Sequence, residues 1–282
     1  MDNTPSILLT IDYEPWFALT RRYDSLTGQA ERRSLDDGFS LAALDPILSE
    51  LAGKQVSFYL VGEIADWYPE VPRRIVEAGH ELGLHCQYHR PLIDSKDLEE
   101  DLVASASWRK RYNVTGYRAP MVGISEAGYS ALAEHGIAYS SSIYAPSGNM
   151  LRKQGVIELP VSSLNLFGKK TQLNAPRQFD TKLLAQGEVP FGSSFMIGLT
   201  PALILKRLET ELAAGLSPVI ILHPYELFPP EKFFAKMLPD LLGNPQLLPF
   251  MINKLPFLRS LLRNFPVQPM DRYVRLKAGH PG

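Results

Sequence analysis

Two histidines four residues apart, His85 and His89, stand in the stretch AGHELGLHCQYH over 78–89. Imidazoles at i and i+4 share one face of a helical turn, so a chain that turns helically after His85 brings both rings to one metal ion. Far upstream, Asp12-Tyr13-Glu14 supplies two carboxylates flanking a tyrosine. Hydrolysis of an amide by a metal-activated water needs an anionic ligand and a separate base, and an acidic pair can provide both. The bland alternative makes the histidines surface or capping residues, Glu14 a solvated loop residue and Asp12 a turn cap. With six histidines in 282 residues the spacing alone says little; the acidic strand end gives it weight.

Arg118 lies in Gly116-Tyr117-Arg118-Ala119-Pro120. An arginine at a strand end can hold a carboxylate in a bidentate pair and keep it ionised, although an isolated arginine more often makes an ordinary surface ion pair. His223, in Leu222-His223-Pro224, follows a run too apolar to be exposed. It reads as a general acid, with a hydrogen-bonded structural histidine as the alternative. His80 sits at a predicted helix end and reads as structural, while His135 and His280 carry no context. Cys86, between the two paired histidines, reads as packing inward.

These residues need a scaffold that gathers strand ends. Strand-like segments over 6–12, 56–61, 81–85, 115–118, 138–144, 156–161 and 218–223 alternate with helical ones over 39–51, 63–78, 95–111, 125–136 and 200–214. Such alternation predicts parallel strands with helical crossovers, closer to a barrel than to a six-stranded open sheet. Asp12, His85, Arg118 and His223 each fall at the C-terminal end of a predicted strand, where parallel barrels collect catalytic residues. The polar segment 21–37 reads as a loop beside the first strand, able to line a substrate groove. Residues 1–230 are expected to form the barrel and 231–282 a helical or irregular extension packed on it. Because apolar residues there interleave with Lys254, Arg259 and Arg263, a membrane- or partner-facing surface is a second reading of the extension.

The composition, 45% hydrophobic and 21% charged, is that of a folded chain. A net charge of −1 gives no global pull toward nucleic acid. A single cysteine excludes an intrachain disulfide. The N-terminus lacks a basic n-region, and the apolar run 7–11 is too short for a signal peptide. No window approaches the roughly 18 apolar residues that span a bilayer. The chain is therefore read as cytoplasmic, with peripheral contact at the inner membrane face as a further expectation. The sequence sets no oligomeric state.

Together these segments resemble the polysaccharide deacetylase family, the NodB-homology carbohydrate esterases. That family's second motif reads like A-G-H-E-I-G-N-H-T-x-S-H, and 78–89 is very similar. Its R-x-x-P-type motif is similar to 116–120 and its late L-x-H motif to Leu222-His223. The family's strand, helix and "HPE" turn resemble 56–62 followed by Tyr68-Pro69-Glu70, so the likeness spans residues 6–227. It implies an α/β fold, a distorted (β/α) barrel of about seven parallel strands. It also implies one divalent metal, usually zinc, and removal of an N-acetyl group from an amino sugar in a polysaccharide or glycan precursor. Iron, cobalt, nickel and manganese also suit two histidines and a carboxylate. Carried over by position, Asp12 is the catalytic base, His85 and His89 are metal ligands, Arg118 steadies Asp12, and His223 protonates the leaving amine.

Two departures from the family pattern stand out. The common first motif, T-F-D-D-G, is Thr10-Ile11-Asp12-Tyr13-Glu14 here, and by the D-x-E pattern of some branches Glu14 takes the metal role. The family's Y-D-S-S is Tyr139-Ser140-Ser141-Ser142. The aspartate that would support the acidic histidine is thus Ser140, which leaves either a lowered His223 pKa or a substitute carboxylate such as Glu226. The alternatives to a glycan deacetylase are a deformylase or deacetylase acting on a lipid- or nucleotide-linked sugar, and a degenerate barrel that binds sugar without turnover.

Overall fold

The computed structural model describes residues 4–90, 95–168 and 173–278. Its strands, in chain order, are β1 (Ile7–Tyr13), β2 (Ser57–Leu60), β3 (Glu81–Leu84), β4 (Gly116–Tyr117), β5 (Tyr139–Ser140), β6 (Tyr144–Pro146), β7 (Leu151–Lys153), β8 (Val156–Glu158), β9 (Val161–Asn165), β10 (Glu188–Val189), β11 (Val219–Leu222) and β12 (Val267–Gln268). β1 and β11, ILLTIDY and VIIL, are buried along their whole length, as strands covered on both faces must be.

The main sheet runs β11-β1-β2-β3-β4-β5-β8-β7. From β11 to β8, seven strands, every neighbouring pair is parallel, and only β7 runs antiparallel at the edge. Helices follow most parallel strands and pack outside, giving a curled, distorted half-barrel of the α/β class. Ile7, Leu9 and Ile11 of β1 face this outer core layer and are fully buried, each contributing on the order of 1.5–3 kcal/mol of hydrophobic stabilisation.

The remaining arc is closed by backbone rather than by another strand. β8 continues into β9 after Leu159-Pro160, where the proline lacks the N–H a ladder requires. β9 then approaches β11 across a gap filled by Gly192. The Gly192 N–H donates to the Ser162 carbonyl at 2.8 Å, and the Gly192 carbonyl accepts from the Ile221 N–H at 2.9 Å. A Cβ at this position would lie 2.3 Å from the Val219 carbonyl oxygen, so only glycine fits the seam.

Several expectations need correction. The segment 21–37 is not a loop but two helices, Arg21–Ser25 and Gln29–Asp36, which bury Tyr23, Arg32 and Asp36. The helix expected over 63–78 is two, Gly62–Trp67 and Glu70–Glu77, broken at Tyr68-Pro69 because proline disfavours helical backbone in the residue before it. The strands expected over 138–144 and 156–161 are each interrupted, and β6, β7, β10 and β12 were not anticipated as strands.

At the other end of the chain, Phe233–Gly243, Leu248–Met251 and Leu255–Asn264 are helical. β12 then pairs in parallel with β1, and the helix Met270–Ala278 begins beneath the barrel, where the Tyr59 hydroxyl meets Met270 Sδ at 3.1 Å. Among the described residues no helix is long and apolar enough to cross a membrane.

Candidate active site

A β-strand points successive side chains to opposite faces. Asp12 and Glu14, two apart at the end of β1, therefore turn together into the barrel. Tyr13 turns outward, packs against Phe58 in a tilted arrangement and donates its hydroxyl to the Ser40 carbonyl at 2.6 Å. The D-x-E spacing thus puts both carboxylates in one place, and Tyr13 leaves the site without disturbing it.

His85 follows β3. Its Nδ1 lies 2.9 Å from the Arg118 carbonyl oxygen. A carbonyl only accepts, so Nδ1 carries the proton and Nε2 presents its lone pair inward. His89 reaches the same point by a different path from the one expected. The chain after His85 is not helical. Cys86 adopts left-handed backbone at φ 62° and starts a tight loop that brings the two rings to 5.0 Å between centroids. Asp101 holds this loop, accepting from the Gln87 N–H at 2.7 Å and the Tyr88 N–H at 3.0 Å. The His89 N–H donates to the Tyr23 hydroxyl at 2.7 Å, and that hydroxyl in turn donates to Glu63, which Arg32 clamps. Cys86 is buried and its thiol is pushed well up, by burial first and by the nearby Asp101, Glu14 and Glu63 carboxylates second.

These pieces converge on Glu14 Oε2. It lies 2.8 Å from His89 Nε2 and 3.3 Å from His85 Nε2, yet it is buried and makes no hydrogen bond to either. The other oxygen, Oε1, accepts from the Tyr225 hydroxyl at 2.7 Å. Burial would raise the Glu14 pKa, but the surrounding histidines hold it well below the usual carboxylate range. For His89 burial favours the neutral ring and the Glu14 carboxylate outweighs it, raising its pKa. One ligand atom from each of Glu14, His85 and His89 falls within 4.8 Å of the others. An orphaned buried carboxylate oxygen facing two imidazole nitrogens fits a divalent cation with nitrogen and oxygen ligands, zinc by its donor preference.

Asp12 stands beside this cluster, its Oδ2 3.9 Å from His85 Nε2. Arg118, fully buried, brings Nη1 to 3.2 and 3.4 Å from the two Asp12 oxygens. The guanidinium is itself fixed: Nη1 donates to Thr10 Oγ1 at 3.3 Å, Nη2 to Ser141 Oγ at 3.0 Å, and the Tyr59 ring lies 4.6 Å below.

His223 closes the site from β11, its Nε2 3.8 Å from Glu14 Oε1. Its Nδ1 faces Glu226 Oε2 and Ser194 Oγ, both at 3.1 Å. Behind Glu226, the Lys254 ammonium lies 2.8 Å from Oε1. Burial by itself would lower the His223 pKa, but Glu226 and then Glu14 override it and lift it to about 9. For Glu226 burial pulls upward, and Lys254 and His223 bring the pKa below its usual value.

Ser140 is not at His223. It bonds Ser142 at 2.7 Å beside the buried Glu158. The support for the imidazole comes from Glu226, three residues on. Lys254, which the second reading of the extension set on a membrane- or partner-facing surface, is buried and belongs to this network. Arg259 pairs with Glu50 on the surface. Tyr225, Ser194, Asp101 and Lys254 were not anticipated. Their one sequence signal is Glu226 in His-Pro-Tyr-Glu, a carboxylate at helical spacing from a histidine.

Asp12, Glu14, His85, His89 and His223 share a cleft of about 680 Å3, a volume typical of small-ligand sites. No family model matches the sequence, and no curated protein matches it. Solved structures do. A Mycobacterium smegmatis protein provisionally described as a polysaccharide deacetylase aligns over 92% of this chain and 91% of its own at 19% identity, with a TM-score of 0.56. A probable polysaccharide deacetylase from Pseudomonas aeruginosa PAO1 aligns over 93% and 92% at 15% identity, with a TM-score of 0.53. The resemblance legible in the motifs extends over 92–93% of the chain trace, and the protein has the fold of these polysaccharide deacetylase structures.

Proposed function

We propose that the protein is a metal-dependent hydrolase that removes an N-acyl group, acetyl in the simplest case, from an amino sugar. The observation that carries this reading is the meeting of two differently built sites at Glu14, with Asp12 beside them. On one side an unpartnered Glu14 oxygen faces His85 and His89; on the other a histidine is held protonated by Glu226. Glu14, His85 and His89 would hold the ion. When bound, a divalent cation supplies Lewis-acid polarisation of the amide carbonyl and acidifies a water molecule.

The chain's own residues do the rest. Asp12 accepts the proton of the attacking water as general base. Arg118, pointing two oxygen contacts' worth of positive charge at Asp12, keeps that carboxylate from taking a proton too early. His223, protonated up to a pH of about 9, delivers its proton to the departing nitrogen so that the amine leaves neutral. The outward turn of Tyr13 and the presence of Glu226 at His223 support an active site over a degenerate barrel.

Metal content by mass spectrometry, together with acetate release from N-acetylated amino sugars, tests the reading. One equivalent of metal in the wild type, lost in His85→Ala and Glu14→Ala, together with turnover that Asp12→Asn abolishes, is the expected result. A wild type that takes up no zinc sinks it.

A further inference from the structure

The cleft has a second wall that the chemistry above does not use. Starting at His223, three half-buried phenylalanines follow one another edge to face. Phe250 lies 6.0 Å from the His223 ring, Phe195 5.7 Å from Phe250, and Phe179 5.1 Å from Phe195, with interplanar angles of 61–66°. All three line the cleft, and exposed Leu184 stands at its edge. Edge-to-face packing sets the edge of one ring against the face of the next, and all three rings still contribute apolar surface to the cleft. The charged residues lining the cleft are Asp12, Glu14 and Asp180 with the three histidines; no described lysine or arginine lines it. A phosphate bound there would meet carboxylates and lack the guanidinium or ammonium partners that phosphate sites use.

We propose that the substrate is an amino-sugar amide bearing an apolar aglycone, alkyl or aryl and without a phosphate next to the sugar, and that Phe250, Phe195 and Phe179 select it. The position of the wall sets which part of the substrate it meets. It begins at the histidine that protonates the leaving nitrogen, so it lies on the amine-bearing side of the scissile bond. This assignment of sides rests on the deacylase reading; the existence of the apolar subsite does not. The cleft therefore takes a glycoside with a greasy tail in preference to a polar polymer or a nucleotide-linked sugar.

Binding is measured by calorimetry on the zinc-loaded full chain with four probes: methyl, octyl (below its micelle concentration) and UDP-linked N-acetylglucosamine, and chitotetraose. The expected result is at least tenfold tighter binding of the octyl than of the methyl glycoside. Phe195→Ala and Phe250→Ala each remove most of that ratio, and Leu203→Ser, at an exposed position of the helix Pro201–Ala213, keeps it. Equal binding of octyl and methyl glycosides by the wild type, or tighter binding of the tetraose or the UDP sugar than of the octyl glycoside, overturns the proposal without reference to any variant. An octyl preference without acetate release keeps the subsite and removes the deacylase reading.

Discussion

The two histidine sites that meet at Glu14 are both buried, yet different groups stand behind their far nitrogens. His85 gives its Nδ1 proton to a backbone carbonyl, a neutral acceptor, and offers Nε2 as a lone pair. His223 turns Nδ1 to a carboxylate backed by a buried ammonium and is held as a cation to about pH 9. On the proposed reading the same side chain serves as a ligand or as an acid according to what stands behind its far nitrogen. The two supports also differ in reach. The two ligand-side histidines are held by Arg118 and Tyr23 from the first half of the chain, whereas the acid side depends on Lys254, which arrives from the C-terminal helices.

The largest effect is expected at the base beside the two sites. Asp12→Asn keeps the metal, because Asp12 is not among the three converging ligands, and lowers kcat by about 10²–10⁴-fold. Metal analysis and turnover on the same preparation check both halves; near-normal turnover takes Asp12 out of the role.

Next comes the acid side. Glu226→Gln removes the carboxylate that lifts His223, so the alkaline limb of the kcat–pH profile, at about 9 in the wild type, moves to lower pH. It also strands Lys254, at a stability cost of about 3–5 kcal/mol, read from the denaturation midpoint. The sign of the pH dependence follows from the raised folded pKa. The stability that His223 draws from Glu226 is complete below its unfolded pKa of about 6.5 and fades as pH rises through about 9. An unmoved limb in the variant would contradict the account of the acid.

The ligand side responds through affinity instead. Asp101→Asn loosens the loop between the two histidines, whose Gln87 and Tyr88 amides it holds. Metal affinity is expected to fall by about 10-fold while the alkaline limb stays in place. Competition with a chelator measures the first, the pH profile the second. Because a proton and an ion compete for His89, whose pKa Glu14 raises against burial, zinc is also released more readily as pH falls.

The smallest effect is expected from Ser140→Ala. The residue touches Ser142 and Glu158 rather than His223, so the variant costs on the order of 1 kcal/mol of stability and leaves the pH profile unchanged. A shifted alkaline limb would tie Ser140 to the acid after all.

The same contrast explains what could be read from the sequence. Ala78–His89, Asp12 and Glu14 were legible because their geometry follows from strand periodicity and local spacing, even though the turn between the histidines proved to be a left-handed loop rather than a helix. The main parallel sheet was legible for the same reason, since VIIL and ILLTIDY have to be buried strands. Lys254 was not, because nothing local to Asn253-Lys254-Leu255 tells a buried counter-ion from a surface cation. The helices over 21–37 were missed because their buried face is a single tyrosine, an arginine and an aspartate. Such a face carries no hydrophobic period and is stabilised by the Glu63 and Ser40 contacts that only the fold supplies.

The Gly192 seam has a consequence for how the cleft can breathe. The N–H and the carbonyl of one residue, Gly192, bridge β9 to β11 beside a direct bond from the Val219 N–H to Ser162 Oγ, and the next two residues are Ser193, which caps the helix Ser194–Leu199, and Ser194, whose hydroxyl touches His223 Nδ1. Parting the two strands to admit a bulky ligand would unlatch both Gly192 hydrogen bonds and draw Ser194 off the imidazole in the same motion. Opening of the ring and readiness of the acid are therefore mechanically linked, and slow exchange of the Gly192 amide proton is the signature of the latched state.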